Sequence, residues 1–268
     1  MNWRLCWLSW LAAVACSLAL AGFPAAAELL PAPAGVDASA IAKGAEGSLR
    51  ADRTFFRARM TVTSPRLARP RVIEFSSWED LPRKRSFVRI HRPAKDAGTS
   101  FLKQHPNLWM YIPRVERTVR VPPSMMSQSW MGSDFSNDDL VRESSEIEDY
   151  SHRLLGVDPD EGQGSGAYVL EYLPHESVAV VWGRIVAWID IESGFALRQE
   201  FYDEDGEKLR LLRFEDVREV EGRRVPHRWT LTPLDKEGHE TRIEMLEIAF
   251  DPELADSIFT RRNLEKGR

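Results

Sequence analysis

From Thr54 onward the chain repeats one pattern that leaves few folds open: short runs of alternating apolar and polar residues, cut by turn residues. In Phe56-Arg57-Ala58-Arg59-Met60-Thr61-Val62 the apolar side chains take one face, and Arg57, Arg59 and Thr61 take the other. That is a half-buried strand. Strands are likewise expected at 71–78, 85–91, 108–112, 118–121, 150–155, 168–173, 185–191, 197–202, 209–220, 225–231 and 241–250. Ser64-Pro65, the glycine-rich run from Gly162 to Gly166, Ser193-Gly194, Asp205-Gly206, Glu221-Gly222 and Glu237-Gly238 separate most of them. Asp-Gly between two alternating runs marks a hairpin. A dozen strands joined this way form a mainly antiparallel sheet, and a sheet so wide curls or closes.

The apolar face of that sheet needs a cover, and helices are scarce. One is expected at 37–49, with Asp37 as its cap and Ile41, Ala45 and Leu49 on one stripe. Gly44 and Gly47 weaken it. A short one is expected at 136–141, where Ser136 and Asp139 resemble a capping box. A C-terminal piece is expected at 254–258. The expected architecture is a curved sheet with an incomplete helical lid over an apolar concavity.

The N-terminus reads as an export signal. Arg4 precedes an apolar run over 5–23, then Pro24 and Ala25-Ala26-Ala27, an A-x-A site followed by Glu28. Cleavage is expected between Ala27 and Glu28, giving a periplasmic protein. The less favoured readings are an uncleaved anchor and a lipid on Cys16. Both cysteines, Cys6 and Cys16, lie in this segment, so the exported chain carries no disulfide. Residues 28–36, rich in Pro and Ala, read as a mobile leader. Residues 37–268 read as a single β domain.

Charge is unevenly spread. Residues 50–120 hold 17 Lys and Arg against 6 Asp and Glu, whereas residues 121–268 hold 17 against 32. Cross-strand pairing accounts for this more simply than a charged partner does. A basic first half could also meet anionic lipid, with Arg83, Lys84 and Arg85 as the contact. The net charge of -5 argues against nucleic acid. The six histidines are scattered and form no metal-ligand spacing, Ser165 lacks the flanking glycines of a nucleophile elbow, and there is no phosphate-binding glycine loop. No enzyme, metal or cofactor is expected. The segment from Pro122 to Leu140 is the least strand-like, with Met125, Met126, Trp130, Met131 and Phe135. Met-rich segments re-pack around varied apolar partners, so this one suits a core plug and a ligand contact equally.

Four stretches together resemble one known family. They are Leu108-Trp109-Met110-Tyr111-Ile112-Pro113 with Arg117 to Val121, the run Gly132 to Leu140, the run Gln199 to Gly206, and Leu231 to Lys236. The chain resembles the LolA-like outer membrane lipoprotein-sorting proteins over residues 37–264. The resemblance implies a strongly curved antiparallel half-barrel of about eleven strands, its open side closed by helices over a hydrophobic cavity. It implies a carrier that takes acylated lipoprotein or lipid through the periplasm toward the outer membrane, with transient membrane contact. A transporter of the resistance-nodulation-division type is a further implied partner, and an envelope regulator or adaptor is the alternative. The residues expected to meet apolar cargo are Phe56, Met60, Val62, Ile73 and Phe75 on the strands and Met125, Met126, Trp130 and Met131 in the loop. Trp109, Tyr111 and Trp188 are weaker candidates.

Overall fold

The computed structural model describes residues 29–49, 51–141, 146–162, 164–176, 178 and 180–266. The expected export signal, residues 1–27, lies outside them.

The described residues build one antiparallel sheet of thirteen strands, curved and open rather than closed into a barrel. The first six are β1 (Arg53–Thr63), β2 (Arg71–Asp80), β3 (Arg85–Arg92), β4 (Ser100–Gln104), β5 (Asn107–Ile112) and β6 (Arg117–Val121). The other seven are β7 (Tyr150–Asp158), β8 (Ala167–Pro174), β9 (Arg184–Asp190), β10 (Ala196–Tyr202), β11 (Lys208–Val220), β12 (Arg223–Pro233) and β13 (Glu240–Phe250). Their spatial order is β6-β5-β4-β3-β2-β1-β13-β12-β11-β10-β9-β8-β7. The chain thus steps outward from β1 to one edge, crosses to the opposite edge, and steps back to meet β1 with β13. At that seam Arg57 faces Glu247, a basic strand against an acidic one.

The strand that the alternation missed is β4. Phe101 packs toward one face and Leu102 toward the other, and both are buried. A short strand covered on both faces loses the period of two that marks a half-buried one.

Topology decides what covers the inner face. Strands β6 and β7 adjoin in sequence yet lie at opposite edges, and the described residues 122–141 and 146–149 belong to the crossover between them. This crossover carries the 3-10 turns Pro123–Met125 and Trp130–Gly132 and the helix α2 (Asn137–Val141). Ser136 and Asp139 cap α2 reciprocally: Ser136 N donates to Asp139 Oδ2 at 2.7 Å, and Asp139 N donates to Ser136 Oγ at 3.2 Å. The second cover is α1 (Ala38–Leu49), where Asp37 Oδ1 accepts from Ser39 N and Ala40 N. Its inward side is small: Ala42 and Ala45 are buried, with Ile41 packed beside them.

Two satellite cores lie on the outer face. Phe87 and Leu102 meet Phe259 and Leu264, brought by the 3-10 turn Asp256–Phe259 and α3 (Arg261–Leu264). Val169, Val186 and Trp188 meet Leu29. The C-terminal helical piece therefore falls a few residues later than the sequence suggests. The leader is not free throughout: Leu30 and Val157 exchange both backbone hydrogen bonds, which ties it to the β7 edge.

Candidate functional site

The inner face divides into two unlike halves. Over β1–β6 the crossover fills it. Trp130 is fully buried, its ring centroid 5.3 Å from that of Phe75 and 5.6 Å from that of Phe101. Its turn is held by Trp130 N donating to Phe135 O at 2.7 Å and Ser133 Oγ donating to Trp130 O at 2.8 Å. Arg71 also bonds the Met131 carbonyl. Met131 sits at φ 50, a left-handed conformation costly for a side chain with a Cβ. The buried Trp130 indole N–H has no partner among the described residues, which costs about 1–3 kcal/mol of desolvation.

Over β8–β12 the cover is incomplete. A cavity of about 140 Å³ lies beneath α1, walled by Ala42, Ala45 and Glu46, by Phe135 and Ile147 of the crossover, and by sheet residues that include Tyr172, Ile185, Phe201, Leu212, Phe214 and Trp229. A second recess of about 360 Å³ lies against Ile41 and Gly44 of the same helix and against Tyr168, Ile189 and Ile191. Ile189 is common to both walls, and α1 contributes to both. Neither Gly44 nor Gly47 has an atom within 4 Å of where a Cβ would stand, so packing does not require their lack of a side chain.

One polar assembly stands in the cavity wall. Arg210, 5% exposed, makes a two-pronged bond to Asp139, 2.7 Å in each arm. Its guanidinium lies 4.1 Å from the ring centroids of both Trp182 and Phe201. Burial alone would raise the Asp139 carboxyl; the Arg210 charge and bonds from Arg210 and Ser136 outweigh it and hold the carboxyl below its ordinary value. The pair fastens α2 to β11. Burial raises the Tyr172 hydroxyl, with Glu146 adding to the effect, and the phenol stays neutral. Elsewhere Ser64 Oγ, His239 and Asp134 tie three loops at one end of the sheet, with Ser64 Oγ to His239 Nε2 at 3.1 Å and His239 Nδ1 to Asp134 Oδ1 at 3.5 Å.

A family model described as an uncharacterized protein matches residues 82–266. The chain belongs to that family. Among curated proteins none matches it. Solved structures that share its fold include the following three. A DUF1329 family protein from Desulfovibrio piger is 22% identical with a TM-score of 0.75, covering 85% of this chain and 97% of its own. A lipoprotein-sorting protein domain from Vibrio parahaemolyticus is 23% identical with a TM-score of 0.72, covering 85% and 98%. A LolA superfamily protein from Nitrosomonas europaea is 22% identical with a TM-score of 0.72, covering 85% and 99%. The fold is LolA-like, as the sequence resemblance implies.

Of the residues singled out in the sequence, nine converge on the filled half. Met60, Val62, Ile73, Phe75, Met126 and Trp130 are buried there, with Phe56, Met125 and Met131 packed beside them. Trp109 and Tyr111 alternate with the inward Leu108 and Met110, so they turn to the outer face, against α3. Trp188 alternates with Ala187 and Ile189 and also faces outward; its indole N–H donates to Asp158 Oδ2 at 3.0 Å, and Arg198 stacks on it at 3.4 Å. None of the twelve lines the cavity under α1. Arg83 and Arg85 both bond Asp80 and Asp256, which clamps the C-terminal segment to the sheet and leaves only Lys84 of that trio without an anionic partner among the described residues.

Of the residues that do line the cavity, Phe135 belongs to the segment singled out in the sequence as a plug or ligand contact, and the sheet residues were missed. Their signal was strand parity on β9–β12 together with the small residues of α1. No helix among the described residues is long and apolar enough to cross a membrane.

Proposed function

We propose that this chain is a periplasmic carrier for an acylated lipoprotein or lipid, held beneath α1. The observation that carries this reading is the position of α1. It lines two spaces, of about 140 and 360 Å³, that share Ile189. The smaller space alone is below the roughly 300–1,000 Å³ of a ligand site. Withdrawal of α1 would join the two into a trough of that size.

The energetics suit such an exchange. Each methylene moved from water into the trough contributes roughly 0.8 kcal/mol. A helix seated by two alanines and carrying two interior glycines gives up little on leaving. The crossover is the second stage. If Trp130 swings out, its orphan N–H regains water, and Phe56, Met60, Val62, Ile73, Phe75 and the Met125–Met131 loop face the guest. No covalent step is required. Transfer to the outer membrane then depends on a receptor or membrane that offers a better apolar site. A resistance-nodulation-division transporter would be one source of cargo.

The test is mass spectrometry of organic extracts from protein recovered from the periplasm, followed by titration with a fluorescent fatty acid. Stoichiometric lipid and saturable uptake are expected. Lipid-free protein that ignores the probe contradicts the proposal. Intact mass of the same preparation reports whether the chain begins at Glu28.

A further inference from the structure

The two edges of the sheet are finished differently. The β7 edge is blunted: Leu30 pairs with Val157, α1 packs against the strand, and Ser39 Oγ lies 3.3 Å from His152 Nδ1. Among the described residues the β6 edge pairs only with β5. An uncovered strand edge is a liability that proteins manage with charge or with a partner. Here Arg114, Arg117 and Arg120 are exposed, and none has an ion-pair partner among the described residues. Arg261 and Arg262 of α3 are exposed beside them, Arg261 stacked over Trp109 of β5 at 4.7 Å. Acidic groups nearby are Glu116, in the turn, and Glu265, which accepts from Thr118 Oγ1 at 3.0 Å. Between the arginines stand two exposed valines, Val115 at 58% and Val119 at 38%.

We infer that the β6 edge and its turn form a docking surface for an anionic lipid bilayer. Apolar tips flanked by arginines match the boundary between phosphate headgroups and acyl chains, where cations meet phosphate and the valines sit just beneath. A lipid surface fits better than an added acidic strand. Arg117 and Arg120 project to opposite faces of β6, and Arg114 and Val115 lie off the strand in the turn. A paired strand would not cover all of them, whereas a headgroup layer meets all at once. The inference deepens the carrier reading by naming where the protein meets the membrane. It replaces the Arg83–Arg85 turn, whose arginines are engaged.

Cosedimentation of the protein with cargo-free vesicles tests it, using phosphatidylcholine with and without phosphatidylglycerol. Binding should require phosphatidylglycerol and weaken as salt rises. The triple variant R114E/R117E/R120E should bind on the order of a hundredfold more weakly, at about fivefold per arginine lost. Val115→Asp should show a smaller loss. The control R66E/R69E, in the exposed β1–β2 turn, should retain most binding, and urea midpoints verify that all variants are folded. Equal binding by the triple variant and the wild type, or equal losses in control and triple variant, overturns the inference. So does wild-type protein that ignores phosphatidylglycerol vesicles but is retained at this edge by an immobilised alternating Glu-Val peptide. Fatty-acid uptake is read separately, so failure to dock is distinguishable from failure to carry.

Discussion

The inner face of one continuous sheet is treated in two ways. Under β1–β6 a tryptophan from the crossover fills the interior; under β8–β12 a helix of small residues covers a cavity of about 140 Å³. The strands supply comparable apolar faces in both halves. The cover makes the difference: Trp130 on one side, Ala42 and Ala45 on the other.

Substitutions should expose this asymmetry. The largest effect is expected from Trp130→Ala, which empties a filled region and should cost about 3–5 kcal/mol in urea titration while raising fatty-acid uptake. A cost under about 1 kcal/mol would mean that the first half is not packed as described.

Next is Asp139→Asn, which strands the Arg210 charge between two rings and should cost about 3 kcal/mol. Its pH signature is specific. The folded carboxyl lies below the ordinary value of 3.8, so the latch contributes in full above that value and is lost as the pH falls through the lower, folded-state value. The wild-type urea midpoint should drop in that acid range, and the variant should lack that component of the drop.

A pair of enlargements then separates the halves. Ala58→Leu under the plug should cost about 1–3 kcal/mol through overpacking, whereas Ala45→Leu beneath α1 has room and should change stability by less than about 1 kcal/mol. Equal costs would remove the distinction. The smallest effect is expected from Gly44→Ala, a gain of up to about 1 kcal/mol from helix propensity alone, since no atom opposes the new methyl group. If α1 is the moving part, the same change should slow probe entry.

Much of the fold was legible because period-two alternation survives wherever one face is wet, and it found every strand but β4, buried on both faces. The caps at Asp37 and Ser136 are local chemistry and were readable for that reason. The site was not. Reading Trp109 and Trp188 as inward required ignoring the parity set by Leu108 and Ala187. That the Met and Trp loop lies over the first half rather than the second depends on β6 and β7 standing at opposite edges, which is long-range pairing that no local pattern encodes. Arg210, a charged residue in an otherwise strand-like run, gave no sign of Asp139, 71 residues away.

Titration of the protein with a fluorescent fatty acid, wild type against G44L/A45L, tests most directly whether α1 roofs a guest space. The account predicts saturable binding by the wild type and at least a tenfold loss in the filled variant, with no loss of stability beyond about 1 kcal/mol in urea titration. Indistinguishable binding curves, or none for the wild type, would contradict it.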